Sequence, residues 1–342
     1  MHRKKFISAF SMALTSWSVF GDTTKLINSG TINSSTKIPP YLKKGSCIGI
    51  TSAAGFINEV DCKDAVEMMQ SWGFRVKMGN TIGKKYFTFG GTDVERLADL
   101  QSMLNDDSID AIMIARGGYG LIRIVDQINF SKFKQHPKWI IGFSDVTVLH
   151  SHIQRQLGIA TIHAKMCNSF VNPSIAEPVQ LATLQSIEQC LKGNAMQYEA
   201  IPQSQNKTGI VTAALVGGNL KTIETLAGSV SDINTANKIL VVEDTGEYLY
   251  SIDRMFYNLK RSGKLRQLAG LIIGGFKIKK DDEGEDFGKT IEEIVLEKVN
   301  EYNYPVCFNF PVGHQKNNYA LKLGALHELN VSSNFVQLKS LQ

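Results

Sequence analysis

Three short apolar runs, each ending in a turn of small residues, constrain the fold of this chain more than any other feature. Cys47–Thr51 runs into Ser52-Ala53-Ala54-Gly55, Ala111–Ala115 into Arg116-Gly117-Gly118-Tyr119-Gly120, and Trp139–Ile141 into Gly142-Phe143-Ser144-Asp145. Continuous apolar runs of this length suit strands buried on both faces, as in parallel sheets. Helical spacing lies between them. Val60, Ala65, Met68 and Met69 form one apolar face, stopped by Gly73, and Leu97, Leu100 and Leu104 form another behind a cap at Thr92 or Asp93. Strands alternating with helices predict an α/β domain with a parallel sheet over residues 45–165. Such sheets bind ligands at the carboxyl ends of their strands. All three turns fall on that edge.

Ser144 is the chemically suggestive residue of the three turns. It follows a strand, and Val146, Val148 and Leu149 then begin a helix. A strand-to-helix turn pushes the hydroxyl out of the sheet and aims neighbouring N–H groups at the same space. The Gly117-Gly118 pair and the N–H of Asp145 are the candidate oxyanion donors. Serine is a weak nucleophile without a base, and the base needs a partner to orient it. Of seven histidines, His314 has the most defined setting, a loop fixed by Pro311 and Gly313. Ile239–Val242 runs into Glu243 and Asp244, carboxylates costly to bury unless paired; either could hold an imidazole in one tautomer. The glycine turn at 116–120 lacks the Lys-Ser/Thr of a phosphate loop. The acidic run 281–286 lacks calcium-loop spacing and reads as a solvated loop.

The chain has 342 residues, 43% hydrophobic and 20% charged, enough for two domains with ordinary cores. Residues 1–21 combine Arg3-Lys4-Lys5 with the uncharged, mostly apolar or small stretch Phe6–Phe20, the layout of a secretory signal too short to span a bilayer. We therefore expect export to the periplasm or cell envelope. Cleavage would lower the formal charge from +5 to +2. The basic balance thus belongs partly to the leader, and nucleic acid is not an expected partner. The five cysteines are widely spaced with no zinc pattern, and read as buried free thiols. Residues 22–40 read as a flexible tether, 41–165 as the nucleophile domain, 166–207 as a linker with one helix near Leu181–Leu191, and 208–342 as a second, α+β domain.

Taken together, these runs resemble the LD-carboxypeptidase family, serine peptidases that include murein tetrapeptide carboxypeptidases and the microcin C immunity peptidase. Six runs carry the resemblance in family order: Gly49–Gly55, Ala115–Gly120, Ile141–Asp145, Val216–Leu220, Val242–Asp244 through Tyr250–Arg254, and Pro311–His314. The resemblance implies a Ser144–His314–Glu243 triad that cleaves an L-to-D peptide bond and releases D-Ala from murein tetrapeptides. It also implies Asn219 and Arg254 as substrate-binding residues, and no metal or other cofactor. The implied architecture is a Rossmann-like N-terminal domain, a β-rich C-terminal domain and a homodimer. Two further functions compete: an amidase detoxifying peptidyl-nucleotide antibiotics, and a cell-wall peptide-binding protein without catalysis. Three positions depart from common patterns. His163-Ala164-Lys165 stands where the family often has His-Gly-Pro, Phe143 where it has Tyr, and Val146 where a G-x-S-x-G elbow has Gly.

Overall fold

The computed structural model describes residues 36–341. The expected leader, and the tether as far as residue 35, lie outside the described residues. The last residues of the expected tether are held against the fold. Lys37 exchanges backbone hydrogen bonds with Gly158 (2.8 Å) and Ala160 (3.0 Å), and Trp139 Nε1 donates to the Pro40 carbonyl at 3.0 Å.

The first half alternates β1 (Cys47–Thr51), α1 (Lys63–Ser71), β2 (Arg75–Met78), α2 (Asp93–Asn105), β3 (Ala111–Ile114), α3 (Ser131–Gln135), β4 (Trp139–Gly142), α4 (Thr147–Leu157) and β5 (Thr161–His163). The chain continues through α5 (Pro178–Leu191), β6 (Gln197–Ala200), β7 (Gly209–Asn219), α6 (Leu220–Thr225), β8 (Ile239–Thr245), α7 (Leu249–Arg261), β9 (Gly270–Lys277) and α8 (Ile291–Val299). It ends in β10 (Val306–Cys307), β11 (Leu321–Leu323), β12 (Leu326–Val331) and β13 (Val336–Ser340).

Two sheets result. The first has the order β11-β5-β4-β3-β1-β2, parallel except for β11, and bears out the parallel α/β expectation. Its strands β1, β3 and β4 are buried along their whole length, as their unbroken apolar runs require. The chain order reverses between β1 and β3, and the crevice at their carboxyl ends is where such sheets take ligands. The second sheet, β10-β9-β8-β7-β12-β13-β6, is parallel over its first four strands and antiparallel beyond β7. It is the expected second layer, with helix α7 burying Ile252, Met255, Phe256 and Leu259 against it. Thr92 caps α2 with both bonds of a capping box. Strand β11 was expected in the second layer, but it pairs antiparallel with β5 of the first sheet. Among the described residues no helix is long and apolar enough to cross a membrane.

Candidate active site

The strand β4 ends at Gly142, and the backbone turns into a one-turn helix at Ser144–Val146 before α4. Ser144 adopts φ +62°, left-handed backbone that few non-glycine residues occupy. The turn closes because Gly142 has no side chain: a Cβ there would sit 2.7 Å from Val146 Cγ2. This explains Val146. The small residue needed by the elbow precedes the serine instead of following it.

The turn after β3 approaches from the neighbouring strand. A Cβ on Gly117 would lie 3.1 Å from Ser144 Cβ and 3.3 Å from its Oγ. The Gly117 carbonyl accepts from Gly55 N at 2.9 Å, so the turns after β1 and β3 are pinned together. Arg96, fully buried, fastens both: its Nη1 donates to the carbonyls of Ala53 (2.5 Å) and Gly120 (3.0 Å), and its Nη2 meets Asp93 at 2.5 Å. The N–H groups of Gly117, Gly118 and Asp145 have no acceptor among the described residues, and Gly117 and Gly118 line the cleft with Ser144. The Asp145 carboxylate accepts from Leu121 N at 2.9 Å, and burial pushes its pKa up to about 6.

The other half of the site comes from the second sheet. Glu243 is fully buried on β8, where the pairing with β9 shifts register between Val242 and Asp244. Its Oε2 lies 2.5 Å from His314 Nδ1. Two glycines make room for this pair. A Cβ on Gly313, at φ +101°, would sit 2.4 Å from Glu243 Cβ, and one on Gly274 would sit 3.3 Å from it. The loop carrying His314 is held by Gly275 N donating to the Val312 carbonyl (2.7 Å) and by Gly313 N donating to Asn318 Oδ1 (2.8 Å). With Nδ1 donating to the carboxylate, the assigned tautomer leaves Nε2 as the acceptor nitrogen. The His314 ring lies 4.9 Å from the Phe143 ring, and His314 and Ser144 line one cleft of about 800 Å³. Among the described residues no hydrogen bond joins Ser144 Oγ to His314, whose bonded partner is Glu243.

The cleft therefore brings together Ser144, Gly117, Gly118 and His314, with Glu243 and Asp145 buried directly behind. Asn219 and Arg254 do not line it. Asn219 Oδ1 caps α6 by accepting from Thr222 N at 3.0 Å, and its Nδ2 donates to Asp244 Oδ1 at 2.9 Å. Burial pushes Asp244 up to about 6. Arg254 is exposed on α7, its guanidinium 5.4 Å from the Tyr250 ring. Two residues of the site escaped the sequence reading. Arg96 carried no signal beyond being the one cation of α2. Lys165 stood out only as a departure from the family run, yet it lines the cleft beside Phe143. All five cysteines are buried free thiols. Among the described residues no group of three or more His, Cys, Asp or Glu side chains is placed to hold a metal.

The family model of the LD-carboxypeptidase N-terminal domain matches residues 48–164, and that of the LD-carboxypeptidase C-terminal domain matches residues 212–329. A probable murein peptide carboxypeptidase of Bacillus subtilis is 30% identical over 300 residues, covering 86% of this chain and 92% of the relative. A crystal structure of muramoyltetrapeptide carboxypeptidase from Oxalobacter formigenes superposes with a TM-score of 0.77 at 24% identity, over 86% of this chain and 98% of that one. The protein MccF in complex with glutamyl sulfamoyl guanosine superposes at 0.78 and 22% identity, over 89% of this chain and 98% of that one.

Proposed function

Since the chain belongs to the LD-carboxypeptidase family, we propose that it is a serine peptidase that removes the C-terminal D-amino acid of a murein tetrapeptide. The observation that carries this reading is the His314–Glu243 pair opening into the same cleft as a serine held at φ +62°. Ser144 Oγ attacks the carbonyl of the L-to-D bond while His314 Nε2 takes its proton. The tetrahedral oxyanion accepts hydrogen bonds from Gly117, Gly118 and Asp145 N–H. His314 then protonates the departing amine. Water attacks the acyl-enzyme with His314 again as base, which frees the tripeptide and Ser144. Throughout, Glu243 holds the imidazole in one tautomer and balances its charge when it is protonated.

The decisive test is mass spectrometry of a murein tetrapeptide incubated with the protein. Wild type is expected to release the terminal D-Ala, and Ser144→Ala to lose about 10⁴-fold or more in kcat with its fold intact. Full turnover by that variant would end the serine reading, and no release by wild type would end the substrate assignment. The cationic lining of the cleft (Arg116, Lys165, Lys277, Lys316) supports a second reading, an amidase acting on an acidic aminoacyl-nucleotide. Faster hydrolysis of such a compound than of the tetrapeptide would favour it. A purely binding role fails if wild type turns over either compound. The leader-like residues 1–21 further support a reaction in the cell envelope, which fractionation tests, and the homodimer is tested by light scattering of the purified protein.

A further inference from the structure

Every charged side chain lining the cleft is a cation, but the four are not equivalent. Lys316 is ion-paired with Glu177 at 2.6 Å, Arg116 spends a donor on the Phe56 carbonyl at 2.9 Å, and Lys277 is exposed at the end of β9. Lys165 is half-buried. Its Nζ donates to the Gln315 carbonyl at 2.7 Å and lies 5.9 Å from the Phe143 ring. An ammonium has three donors, and no carboxylate among the described residues is within ion-pair distance of this one. Burial lowers its pKa, and the charge of Glu243 behind the cleft acts the other way.

The sheet register explains why this lysine shares an edge of the sheet with Ser144. Gly142 of β4 pairs with His163 of β5, and the two strands run parallel. Ser144 and Lys165 thus each follow a matched pair by two residues, past the ends of two neighbouring strands, and both line the same cleft. The following residue reaches the same turn: Met166 Cε and Ser144 Cβ would flank a Cβ on Gly117 at 3.2 Å and 3.1 Å.

We propose that Lys165 is the specificity-determining residue that captures the free carboxylate of the departing C-terminal residue. The inference rests on the peptidase reading above. That carboxylate carbon is three bonds from the scissile carbonyl carbon, roughly 3–4 Å away, so a cation lining the same cleft as the serine is placed to meet it. A desolvated ammonium with spare donors is stabilised by a carboxylate that brings both charge and acceptors. The same contact explains why a chain would act at a terminus: an internal peptide bond offers no charge there, and a C-terminal amide offers none either.

The test uses the full chain and a matched pair of tetrapeptides, one with a free C-terminal carboxylate and one with a C-terminal amide. Wild type is expected to favour the acid in kcat/KM by about 10- to 100-fold, the worth of one charge-assisted hydrogen bond. Lys165→Met should collapse that ratio towards one, mainly through KM, and Lys165→Arg should keep most of it. If Lys165 only props the Gln315 carbonyl and with it the His314 loop, Lys165→Met slows both peptides equally and the ratio survives, which overturns the proposal. Equal cleavage of both peptides by wild type overturns it too, while leaving the peptidase reading standing. Cleavage of neither removes the peptidase reading itself.

Discussion

A serine at φ +62° costs about 1 kcal/mol or more relative to ordinary backbone, and its neighbours hold it there. Gly142 yields space to Val146 in front of it, and Gly117 leaves its Oγ open from the side. The same device recurs at the base, where Gly313 and Gly274 yield space to Glu243. Gly313→Ala would force a Cβ to within 2.4 Å of Glu243 Cβ. We expect it to shift the Glu243–His314 pair and lower kcat about a hundredfold or more, with the far-ultraviolet dichroism retained; wild-type kcat in that variant would refute this account of the socket. Ser144 and His314 stood out in the sequence because each sits at a punctuated strand end or loop, whereas Glu243 was singled out from Asp244 only by the family resemblance. Asn219 was legible as a motif residue, yet its side chain serves a helix cap and a buried carboxylate. Sequence spacing identifies such a residue but not the partner it consumes.

At the scale of elements, the strand-end turns are fastened from behind by helix α2. Arg96 is fully buried and its guanidinium spans the turns after β1 and β3. Arg96→Met keeps the bulk of the side chain but leaves those carbonyls without their donor. We expect a loss of about 3 kcal/mol, read by urea unfolding, with activity reduced beyond the unfolded fraction because the Gly117 turn is released. Unchanged stability would show that water replaces the guanidinium. Most elements of the first sheet were legible because each apolar run is continuous and each helix has a stop. Strands β6, β12 and β13 were not. In β12 the buried positions are His327, Leu329 and Val331, alternating with partly exposed ones, and a histidine on the buried face hides the two-residue period. The destination of β11 was hidden for a different reason: its pairing with β5 joins residues distant in sequence, and no local pattern encodes that.

Across the whole molecule, several titratable groups are buried, some of them close behind the site. Burial pushes His150 and His327 down to about 4 and His163 down to about 3. In the unfolded chain these imidazoles titrate near 6.5, so below that pH the unfolded state binds protons the fold refuses, and stability falls as pH falls. Asp145 and Asp244, raised to about 6, act in the opposite sense. The fold keeps their protons at a pH where the unfolded chain, titrating near 4, has released them, so their contribution grows as pH falls from about 6 to about 4. Three imidazoles outweigh two carboxylates. The unfolding midpoint in urea should therefore drop between pH 6.5 and pH 5, and Asp145→Asn, which removes one opposing group, should steepen the drop. A midpoint higher at pH 5 than at pH 6.5 would contradict these burials.

The late arrival of β11 also sets an order of events during synthesis. The strand edge of β5 is complete when residue 163 leaves the ribosome, yet its partner comes from residues 321–323. Roughly 160 residues of elongation separate them, on the order of ten seconds or more at ordinary translation speed. Over that interval a growing chain carries Ser144 with an open sheet edge beside it and without His314, which also emerges late. On the proposed mechanism a half-made chain is chemically silent until the last tenth of its length, which carries His314, is in place.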